Sequence, residues 1–279
     1  MEIAYTQASL IEKLNQLREK SPKTGFVPTM GALHQGHIQL LKQAKTENDN
    51  VVCSIFVNPV QFNNPTDLEH YPRTPQEDIE AVKDYCDILF MPSVEEMYPY
   101  PCTENYDFGE LELVMEGHFR PKHFNGVAII VKRLFDIVKP DIAYFGKKDF
   151  QQLVIIQKLV NDCKLNIKIQ AVDTVRDEDG LAMSSRNKLL SKDARNQAPF
   201  IWQTLKNAKS LKYEMSPAEI TLWIHEQFNK NKNFTLEYAQ LVNSKTLQEV
   251  THYNQAENIV ACVAVWLDNV RLIDNITIV

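Results

Sequence analysis

Short apolar runs alternate with amphipathic stretches over the first 170 or so residues. The runs are rich in Val, Ile or Phe and are bounded by turn residues, which predicts β-strands over 24–29, 50–57, 87–92, 142–146 and 167–172. Apolar residues recur at helical spacing between them, over 7–20, 36–48, 75–85, 125–138 and 149–163. This alternation predicts an α/β fold whose parallel sheet is covered on both faces. Ligands of such sheets bind at the carboxyl ends of the strands.

The pattern changes after residue 173. A polar, charged connector covers 174–191, and a helical face then follows at Ala198, Ile201, Trp202, Leu205 and Ala208. The segment 216–219, Ser-Pro-Ala-Glu, is a capping box with proline at the first helical position, so it predicts a helix start. The tail predicts strands with a turn near 268–269. We therefore expect two domains, 1–174 and a smaller α+β domain at 175–279.

Composition restricts the class of protein. The 279 residues are 44% hydrophobic and 24% charged, as in an ordinary globular protein, and no apolar run approaches the roughly 20 residues that span a bilayer. The net charge of −6 argues against a nucleic-acid partner, because such binding needs a broad basic face. Any polyanionic ligand must therefore meet a local cluster of donors and cations.

The N-terminal residues and the cysteines favour a cytoplasmic protein. The first twenty residues lack a basic segment followed by an apolar block, so export is not expected. Five scattered cysteines without a CxxC pair argue against a disulfide framework and against a zinc knuckle. We expect reduced thiols, and we regard the sequons at Asn233 and Asn275 as chance matches.

The segment 28–37, PTMGALHQGH, is the first candidate site. It follows a predicted strand and leads into a predicted helix, where glycines and free backbone N–H groups form an anion site. His34 and His37 could each donate a ring N–H to a phosphate oxygen. Two surface histidines at a helix start are the alternative, whereas a zinc pair lacks a nearby third ligand. The chain contains neither a Walker A loop nor a GxGxxG motif.

Two further clusters carry cationic and hydroxylated residues. FGKKDFQQ, 145–152, ends a predicted strand with Gly146 and continues with two lysines at the expected ligand edge. GLAMSSRN, 180–187, lies in the connector, where Ser184, Ser185 and Arg186 could wrap phosphates as a mobile lid. Solvated lysines and an ordinary serine-rich linker are the alternative interpretations.

Taken together, the motifs resemble the pantothenate synthetases, or pantoate–β-alanine ligases, of the HxGH nucleotidylyltransferase superfamily. The resemblance rests on PTMGALHQGH, VNPVQF (57–62), YPRT (71–74), EGHFRPKHFNGVA (116–128), GKKDFQQL (146–153) and TVRDEDGLAMSSRN (174–187). These motifs span roughly residues 28 to 190 in the family's order. The resemblance implies a Rossmann-like catalytic domain at 1–174 and a lid domain at 175–279.

The resemblance also implies a two-step reaction. Pantoate would attack the α-phosphorus of Mg²⁺-ATP to give pantoyl adenylate and pyrophosphate, and β-alanine would then displace AMP. No activated Ser or Cys is needed, because the substrate supplies its own nucleophile. The family further implies a homodimer with the small-molecule substrates pantoate and β-alanine, and the composition adds the expectation of no nucleic-acid or membrane partner.

Residue by residue, the resemblance places a large set at ATP. His34 and His37 would contact the triphosphate, with His37 as proton donor, and Lys148 and Arg186 would complete the catalytic group. The implied ATP-binding residues are Met30, Gly31, Ala32, Leu33, His34, Gln35, Gly36, His37, Gly146, Lys147, Lys148, Asp149, Val175, Met183, Ser184, Ser185 and Arg186. Lys147 departs from the family, which often has Glu there.

The same resemblance places a second set at pantoate and β-alanine. Gln61 and Gln152 match the family's pantoate-binding glutamines, and further rim positions are Asn58, Tyr71, Arg120 and His123. Glu116 is another such position, although Glu116 and Arg120 could also form a surface ion pair. Glu77 and Asp78 fall where metal contacts are suspected in relatives, but the protein ligands of Mg²⁺ stay unassigned.

Two other functions are compatible with parts of the pattern. Another HxGH adenylyltransferase would share the histidines but would not need VNPVQF or the paired glutamines. A nucleotide-binding protein without catalysis would bind ATP without turnover. A tRNA synthetase is disfavoured by the acidic composition and by the lack of room for an anticodon module.

Overall fold

The computed structural model describes all 279 residues and divides them into two compact units. Unit 1 comprises Met1–Gly109, Arg120–Lys147 and Ile155–Asp173. Unit 2 comprises Glu110–Phe119, Lys148–Val154 and Thr174–Val279. The assignment of a catalytic role to 1–174 and a lid role to 175–279 stays a prediction.

Unit 1 contains a six-stranded parallel sheet, as the alternating pattern predicts. Its strand order is β1-β4-β3-β2-β5-β6. The strands are β1 (Glu2–Ala4), β2 (Thr24–Thr29), β3 (Asn50–Ile55), β4 (Ile88–Phe90), β5 (Ile142–Gly146) and β6 (Lys168–Val172). The sequence pattern missed only β1, because three residues at an edge are too short for a period to show. The α/β, Rossmann-like class is confirmed.

The strand order changes direction at β2, which makes its carboxyl end the expected ligand crevice. The chain runs from β2 outward through β3 and β4, and then returns to the other side of β2 with β5. The β2–β5 register is confined to Gly25 with Ile142 and Phe26 with Ala143. Pro28 lacks the N–H that a further ladder bond would need, and the pairing ends before it. The loops after β2 and β5 therefore leave the sheet at this crevice.

The predicted helices of the first part of the chain are confirmed, with small shifts at their ends. They are α1 (Gln7–Arg18), α2 (Gln35–Glu47), α4 (Pro75–Val82), α7 (His123–Val138) and α8 (Phe150–Asp162). The short helices α3 (Pro65–Glu69), α5 (Val94–Met97) and α6 (Met115–Phe119) were not predicted, because four or five residues are too few to display a helical period. Helix α7 is buried over most of its length. At Gly126 a Cβ atom would lie 2.6 Å from the carbonyl oxygen of Val60, so only glycine permits this close approach.

Unit 2 contains a three-stranded antiparallel sheet, in the order β7-β8-β9. The strands are β7 (Phe234–Asn243), β8 (Ile259–Leu267) and β9 (Val270–Thr277). Asp268 and Asn269 join β8 to β9 with φ of 53° and 60°, the left-handed values that a tight hairpin needs. The predicted turn at 268–269 is confirmed, because Asp and Asn tolerate this conformation better than other residues with side chains.

Unit 2 also contains the helices α9 (Lys192–Gln197), α10 (Phe200–Ser210) and α11 (Pro217–Lys230), of which α10 packs against β9 and α11 against β7. The predicted capping box is present at Ser216 and Glu219. Four residues of the predicted helical face, Ala198, Ile201, Leu205 and Ala208, are buried in one apolar cluster, and Trp202 packs against it. No helix of either unit is both long enough and apolar enough to cross a membrane.

Candidate active site

A buried carboxylate shapes the loop that follows β2. Gly31 and Ala32 both have positive φ, 80° and 49°, which turns the backbone N–H groups of Ala32 and Leu33 inward. Asp78, in the first turn of α4, accepts both of them, at 3.0 Å from Ala32 N and 2.7 Å from Leu33 N. Thr74 donates its hydroxyl to the same carboxylate at 3.2 Å. The carboxylate of Asp78, 2% exposed, therefore acts as an anchor for the loop.

The two histidines cap helix α2 reciprocally. His34 is the N-cap residue, and its Nδ1 accepts the backbone N–H of Gly36 at 3.1 Å. His37, three residues on, accepts the backbone N–H of His34 on its own Nδ1 at 3.3 Å. A nitrogen that accepts a hydrogen bond carries no proton, so both neutral rings are in the Nε2–H form. The ring centroids lie 4.1 Å apart.

The close approach of the His34 ring explains why residue 36 is glycine. A Cβ atom there would lie 2.7 Å from Cε1 and 2.9 Å from Nδ1 of His34. Gly36 lies inside α2, where alanine would otherwise favour the helix. Glycine is therefore required at position 36 by the position of the His34 ring. The spacing of the residues in the sequence does not reveal this requirement.

Buried amides lie beside this loop within unit 1. Gln61 is 6% exposed and Asn58 is 1% exposed, and Asn58 Nδ2 donates to Gln61 Oε1 at 3.2 Å. Gln61 Nε2 donates to Met30 Sδ at 3.0 Å, which connects the 3-10 helix Pro59–Gln61 to the loop after β2. Tyr98 fixes the other end of the Asn58 amide by donating its hydroxyl to Oδ1 at 2.7 Å. These contacts hold the Gln61 amide in a defined orientation.

Three further residues of unit 1, predicted to bind pantoate or β-alanine, lie close to the segment 61–62 or to one another. His123, at the start of α7, donates Nδ1–H to the carbonyl oxygen of Gln61 at 2.9 Å, so its neutral ring accepts on Nε2. The carbonyl of Arg120 accepts the His123 N–H at 3.0 Å. Tyr71 is buried against Phe62, with ring centroids 5.6 Å apart. His123 and Tyr71 are thus buried side chains, at positions that the family resemblance places around pantoate and β-alanine.

The two lysines of the GKKD loop have different surroundings. Lys147 is exposed and forms an ion pair with Asp173 at 2.6 Å, which offsets the extra charge that this chain carries there. Lys148 belongs to unit 2 and is more enclosed, with its side chain 18% exposed and its Nζ 3.9 Å from Asp149 Oδ1. Gln152 follows in the first turn of α8 and is half-buried.

A hairpin in unit 2 carries the predicted adenine and lid residues. Val175 and Met183 are paired through the Met183 N–H and the Val175 carbonyl at 3.0 Å. Ser184 then caps the 3-10 helix Ser185–Leu189, accepting the N–H of Arg186 at 3.3 Å on its Oγ. The Ser184 hydroxyl still has its proton to donate. The structure thus brings Val175 beside Met183, directly before the segment Ser184 to Arg186.

Glu116 corrects one of the expectations. It is 8% exposed, and both of its oxygens accept from Arg271, at 2.7 and 2.8 Å. The hydroxyl of Tyr238 donates to the same carboxylate at 2.8 Å. Glu116 is therefore not a surface residue, and its partner Arg271, 155 positions along the chain, was not visible in the local pattern.

Two structurally important residues were missed or misread in the sequence. Asp78 was considered as a metal contact, whereas its oxygens bind backbone N–H groups. Gln151 was overlooked beside Gln152, although it is 4% exposed and its Nε2 donates to the carbonyls of Leu111 and Val114. The helical period offered a signal, since Gln151 lies three and four positions before the buried Val154 and Ile155.

The described residues do not form a ready-made metal cage. No group of three or more His, Cys, Asp or Glu side chains in the chain is arranged to hold a metal ion. This arrangement fits Mg²⁺ only if the ion keeps its waters and binds mainly to substrate phosphates, which is its usual behaviour with nucleotides.

Comparison with known proteins identifies the family. The family model described as pantoate-beta-alanine ligase matches residues 2–277. The pantothenate synthetase of Porphyromonas gingivalis is 46% identical over 277 residues, covering 99% of both chains. The pantothenate synthetase of Azobacteroides pseudotrichonymphae is 47% identical over 279 residues, covering 99% of this chain and all of the relative.

Solved structures agree over the whole chain. The crystal structure of pantothenate synthetase from Thermus thermophilus matches with a TM-score of 0.93 and 38% identity, covering 100% of this chain and 99% of the other. The pantoate-beta-alanine ligase of Francisella tularensis, complexed with β-γ ATP and β-alanine, matches with a TM-score of 0.81 and 37% identity, covering 100% and 98%. The chain therefore belongs to the pantoate-beta-alanine ligase family.

Proposed function

We propose that this ligase, whose family condenses pantoate with β-alanine at the expense of ATP, works through a pantoyl-adenylate intermediate. A pantoate carboxylate oxygen forms a bond to the α-phosphorus of ATP, and the bond to pyrophosphate breaks. The β-alanine amine then attacks the acyl carbon, AMP leaves with the bond electrons, and the amine loses a proton. The single observation that carries this proposal is the helix start at His34 and His37, whose rings are held as Nε2–H donors.

The cysteines support a reaction without an enzyme ester. Burial raises the pKa of Cys53 well above its ordinary value and raises that of Cys86 to about 12. Burial likewise raises the pKa of Cys262. Thiolates are the nucleophilic form of cysteine, so these three thiols are poor nucleophiles at neutral pH. Adenylation of the substrate carboxylate requires none of them.

The proposed ATP site combines the helix start with cations. Imidazole and backbone N–H groups at the start of α2 would stabilise charge on the transferring phosphoryl group, because donors placed at a helix N-terminus favour anions. Lys148 would act as a compact positive charge on the phosphates, and Arg186 could bind two phosphate oxygens at once. Val175 and Met183, whose backbones pair in their hairpin, are the proposed apolar contacts of adenine.

Gln61 and Gln152 are the proposed ligands of the pantoate hydroxyl and carboxylate groups. An amide can donate and accept without adding charge, so it suits a substrate that must approach a polyanion. Asn58 and Tyr98 support this assignment for Gln61, because they fix the amide orientation before any substrate binds. Tyr71, Arg120 and His123 stay predicted contacts of pantoate or β-alanine.

Mg²⁺ and the homodimer stay predictions from the family resemblance, and the cytoplasmic location stays a prediction from the N-terminal residues and the cysteines. When bound, Mg²⁺ would neutralise phosphate charge, and we assign it no side-chain ligand in this chain. Asp78 does not suit that role, because its two oxygens already accept backbone N–H groups.

An assay for AMP tests the function against its two alternatives. AMP should form only when ATP, pantoate and β-alanine are all present, whereas ATP and pantoate alone should release one pyrophosphate per active site. AMP transfer to a phosphorylated cofactor precursor would favour another HxGH adenylyltransferase. Tight ATP binding without pyrophosphate release under any combination would favour a non-catalytic nucleotide-binding protein.

Gln61→Ala is expected to raise the KM for pantoate about tenfold while leaving the KM for ATP within twofold. Loss of one hydrogen bond to substrate costs roughly 0.5–1.5 kcal/mol, and the upper end of this range corresponds to about tenfold. Steady-state kinetics with each substrate varied in turn measures both constants. Val60→Ala, at the exposed neighbouring position, serves as the control. Equal changes in both KM values would contradict the assignment of Gln61 to pantoate.

Gly36→Ala is expected to slow pyrophosphate release about tenfold, the effect of weakening one contact by about 1.4 kcal/mol. The added methyl group must displace the His34 ring, which it would meet at 2.7 Å. Helix α2 itself should survive, since alanine is a better helix former than glycine. Single-turnover kinetics and circular dichroism provide the two measurements. A fully active variant would show that the His34 ring position is unimportant.

A further inference from the structure

Strand β9 carries an adjacent pair of polar residues that reach two of the proposed ATP-binding segments. Asn275 donates its Nδ2–H to the carbonyl oxygen of Lys148 at 2.8 Å. Its backbone N–H donates to Oδ1 of Asp274, also at 2.8 Å. Residues 148, 274 and 275 all belong to unit 2. The C-terminal strand therefore holds the backbone of the lysine proposed to bind phosphate.

Asp274 holds the second segment through Arg176. The guanidinium donates to both carboxylate oxygens, at 2.6 and 2.9 Å, and the Asp274 side chain is only 3% exposed. Arg176 also donates to the carbonyl of Gly180 at 3.2 Å and lies 3.5 Å from the centre of the Trp202 ring. Because Arg176 and Gly180 belong to the hairpin that pairs Val175 with Met183, the same network fixes that hairpin.

Local geometry indicates how Asn275 acts on Lys148. Lys148 lies two residues before α8, and its carbonyl is the group that Asn275 binds. A fixed carbonyl restricts the ψ angle of Lys148 and so restricts the rotation of the peptide that follows it. The Lys148 side chain is largely enclosed and can adopt few other conformations. A change in backbone direction at Lys148 therefore moves its ammonium group.

We propose that Asn275 is a positioning residue for adenylate formation. It binds the Lys148 carbonyl and so sets the position of the Lys148 ammonium. Its contact with Asp274, which binds Arg176, connects it to the neighbouring hairpin. The inference rests on the proposed function, in which Lys148 acts on the ATP phosphates. It adds a role for the C-terminal strand, where the sequence offered only a chance sequon at Asn275. Asn275 does not touch substrate in this proposal.

Asn275→Asp is the sharpest test, because it keeps the size of the side chain and removes the donor. A carboxylate or carbonyl oxygen facing the Lys148 carbonyl cannot form the bond. We expect the rate of pyrophosphate release from ATP and pantoate to fall about tenfold, since small misplacements of a catalytic group are costly. The reaction of preformed pantoyl adenylate with β-alanine, which no longer involves the triphosphate, should change less than twofold.

A double-mutant cycle with Lys148→Met separates positioning from general weakening of the fold. If Asn275 acts through Lys148, Asn275→Asp should change pyrophosphate release less than twofold in the Lys148→Met background. Thr277→Ala, at an exposed position of the same strand, is the matched control and should leave both steps unchanged. Asn275→Ala, which removes the donor without adding charge, serves if Asn275→Asp does not fold.

Each outcome of the cycle has a definite meaning. The same tenfold loss in both backgrounds, or an equal loss in both chemical steps, would overturn the positioning role and leave the proposed function intact. If Lys148→Met alone releases pyrophosphate normally, the role of Lys148 is wrong and the inference fails with it. If the unsubstituted protein forms no AMP from the three substrates, the proposed function itself fails.

Discussion

His37→Ala is expected to slow the release of pyrophosphate from ATP and pantoate by about 10²–10³-fold, the usual cost of removing one donor that stabilises transition-state charge. The physical reason is the tautomer of the His37 ring, which determines which nitrogen can donate to phosphate. His37 Nδ1 accepts the backbone N–H of His34, so the ring proton is on Nε2. A backbone contact that already exists in the free protein thus fixes the donor before ATP binds. Single-turnover measurement of pyrophosphate reports the step directly.

Two isosteric substitutions separate the two nitrogens of His37. His37→Asn retains an acceptor near the Nδ1 position, so it should preserve the cap of α2 and show the same loss of rate as His37→Ala. His37→Gln places an amide donor near the Nε2 position, and it should recover part of the rate while weakening the cap. Loss of such a cap costs about 1 kcal/mol of folding free energy, which urea unfolding measures. Near-normal pyrophosphate release by His37→Asn would refute the donor role.

Asp78→Ala is expected to lower the free energy of unfolding by about 3 kcal/mol and to reduce activity together with it. The substitution leaves the buried N–H groups of Ala32 and Leu33 without their acceptor, and each buried unsatisfied group costs about 1–3 kcal/mol. The positive φ angle of Ala32 adds strain that the anchor normally offsets, whereas Gly31 adopts its own positive φ freely. Urea denaturation, analysed with the same m-value for both proteins, gives the change in the free energy of unfolding.

Glu77→Ala provides the matched control for Asp78. Both acids lie in the first turn of α4, but Glu77 is exposed. Its loss should cost only about 0.3–1 kcal/mol, through the helix dipole, and should leave the loop after β2 intact. A Mg²⁺ titration of activity distinguishes the two roles. If Asp78→Ala were fully stable but needed much more Mg²⁺, the carboxylate would be a metal contact and the anchor role would be wrong.

The hydrophobic period was sufficient for most of the fold. Strands β2 to β6 and the hairpin of β8 and β9 appear where apolar runs and turn residues predicted them, because a buried strand needs continuous apolar residues and a tight turn needs Asp268 and Asn269. Strand β1 was missed because three residues cannot display a period. The ends of α7 and α8 shifted by one or two residues, which reflects the weakness of local signals at helix ends.

The site residues also divide into those that a local pattern identified and those that depend on distant contacts. The sequence singled out His34 and His37 because two histidines and two glycines at a strand-to-helix junction suit an anion. It could not assign Asp78 to the backbone of the loop after β2, since hydrogen bonds across 45 and 46 positions leave no local pattern. The pairing of Glu116 with Arg271 was invisible for the same reason.

By itself, the sequence determined the α/β class, the junction that holds the two histidines, and the family, because all three depend on short stretches whose residue types have local physical consequences. Only the tertiary structure decided which carboxylates anchor backbone and which nitrogen of each histidine carries the proton. It also decided that the last strand holds Lys148. The carboxylate and Lys148 contacts follow from hydrogen bonds formed after distant segments pack, where burial favours partners for polar groups. The histidine tautomers follow from contacts two and three residues apart, which exist only once the helix start has folded.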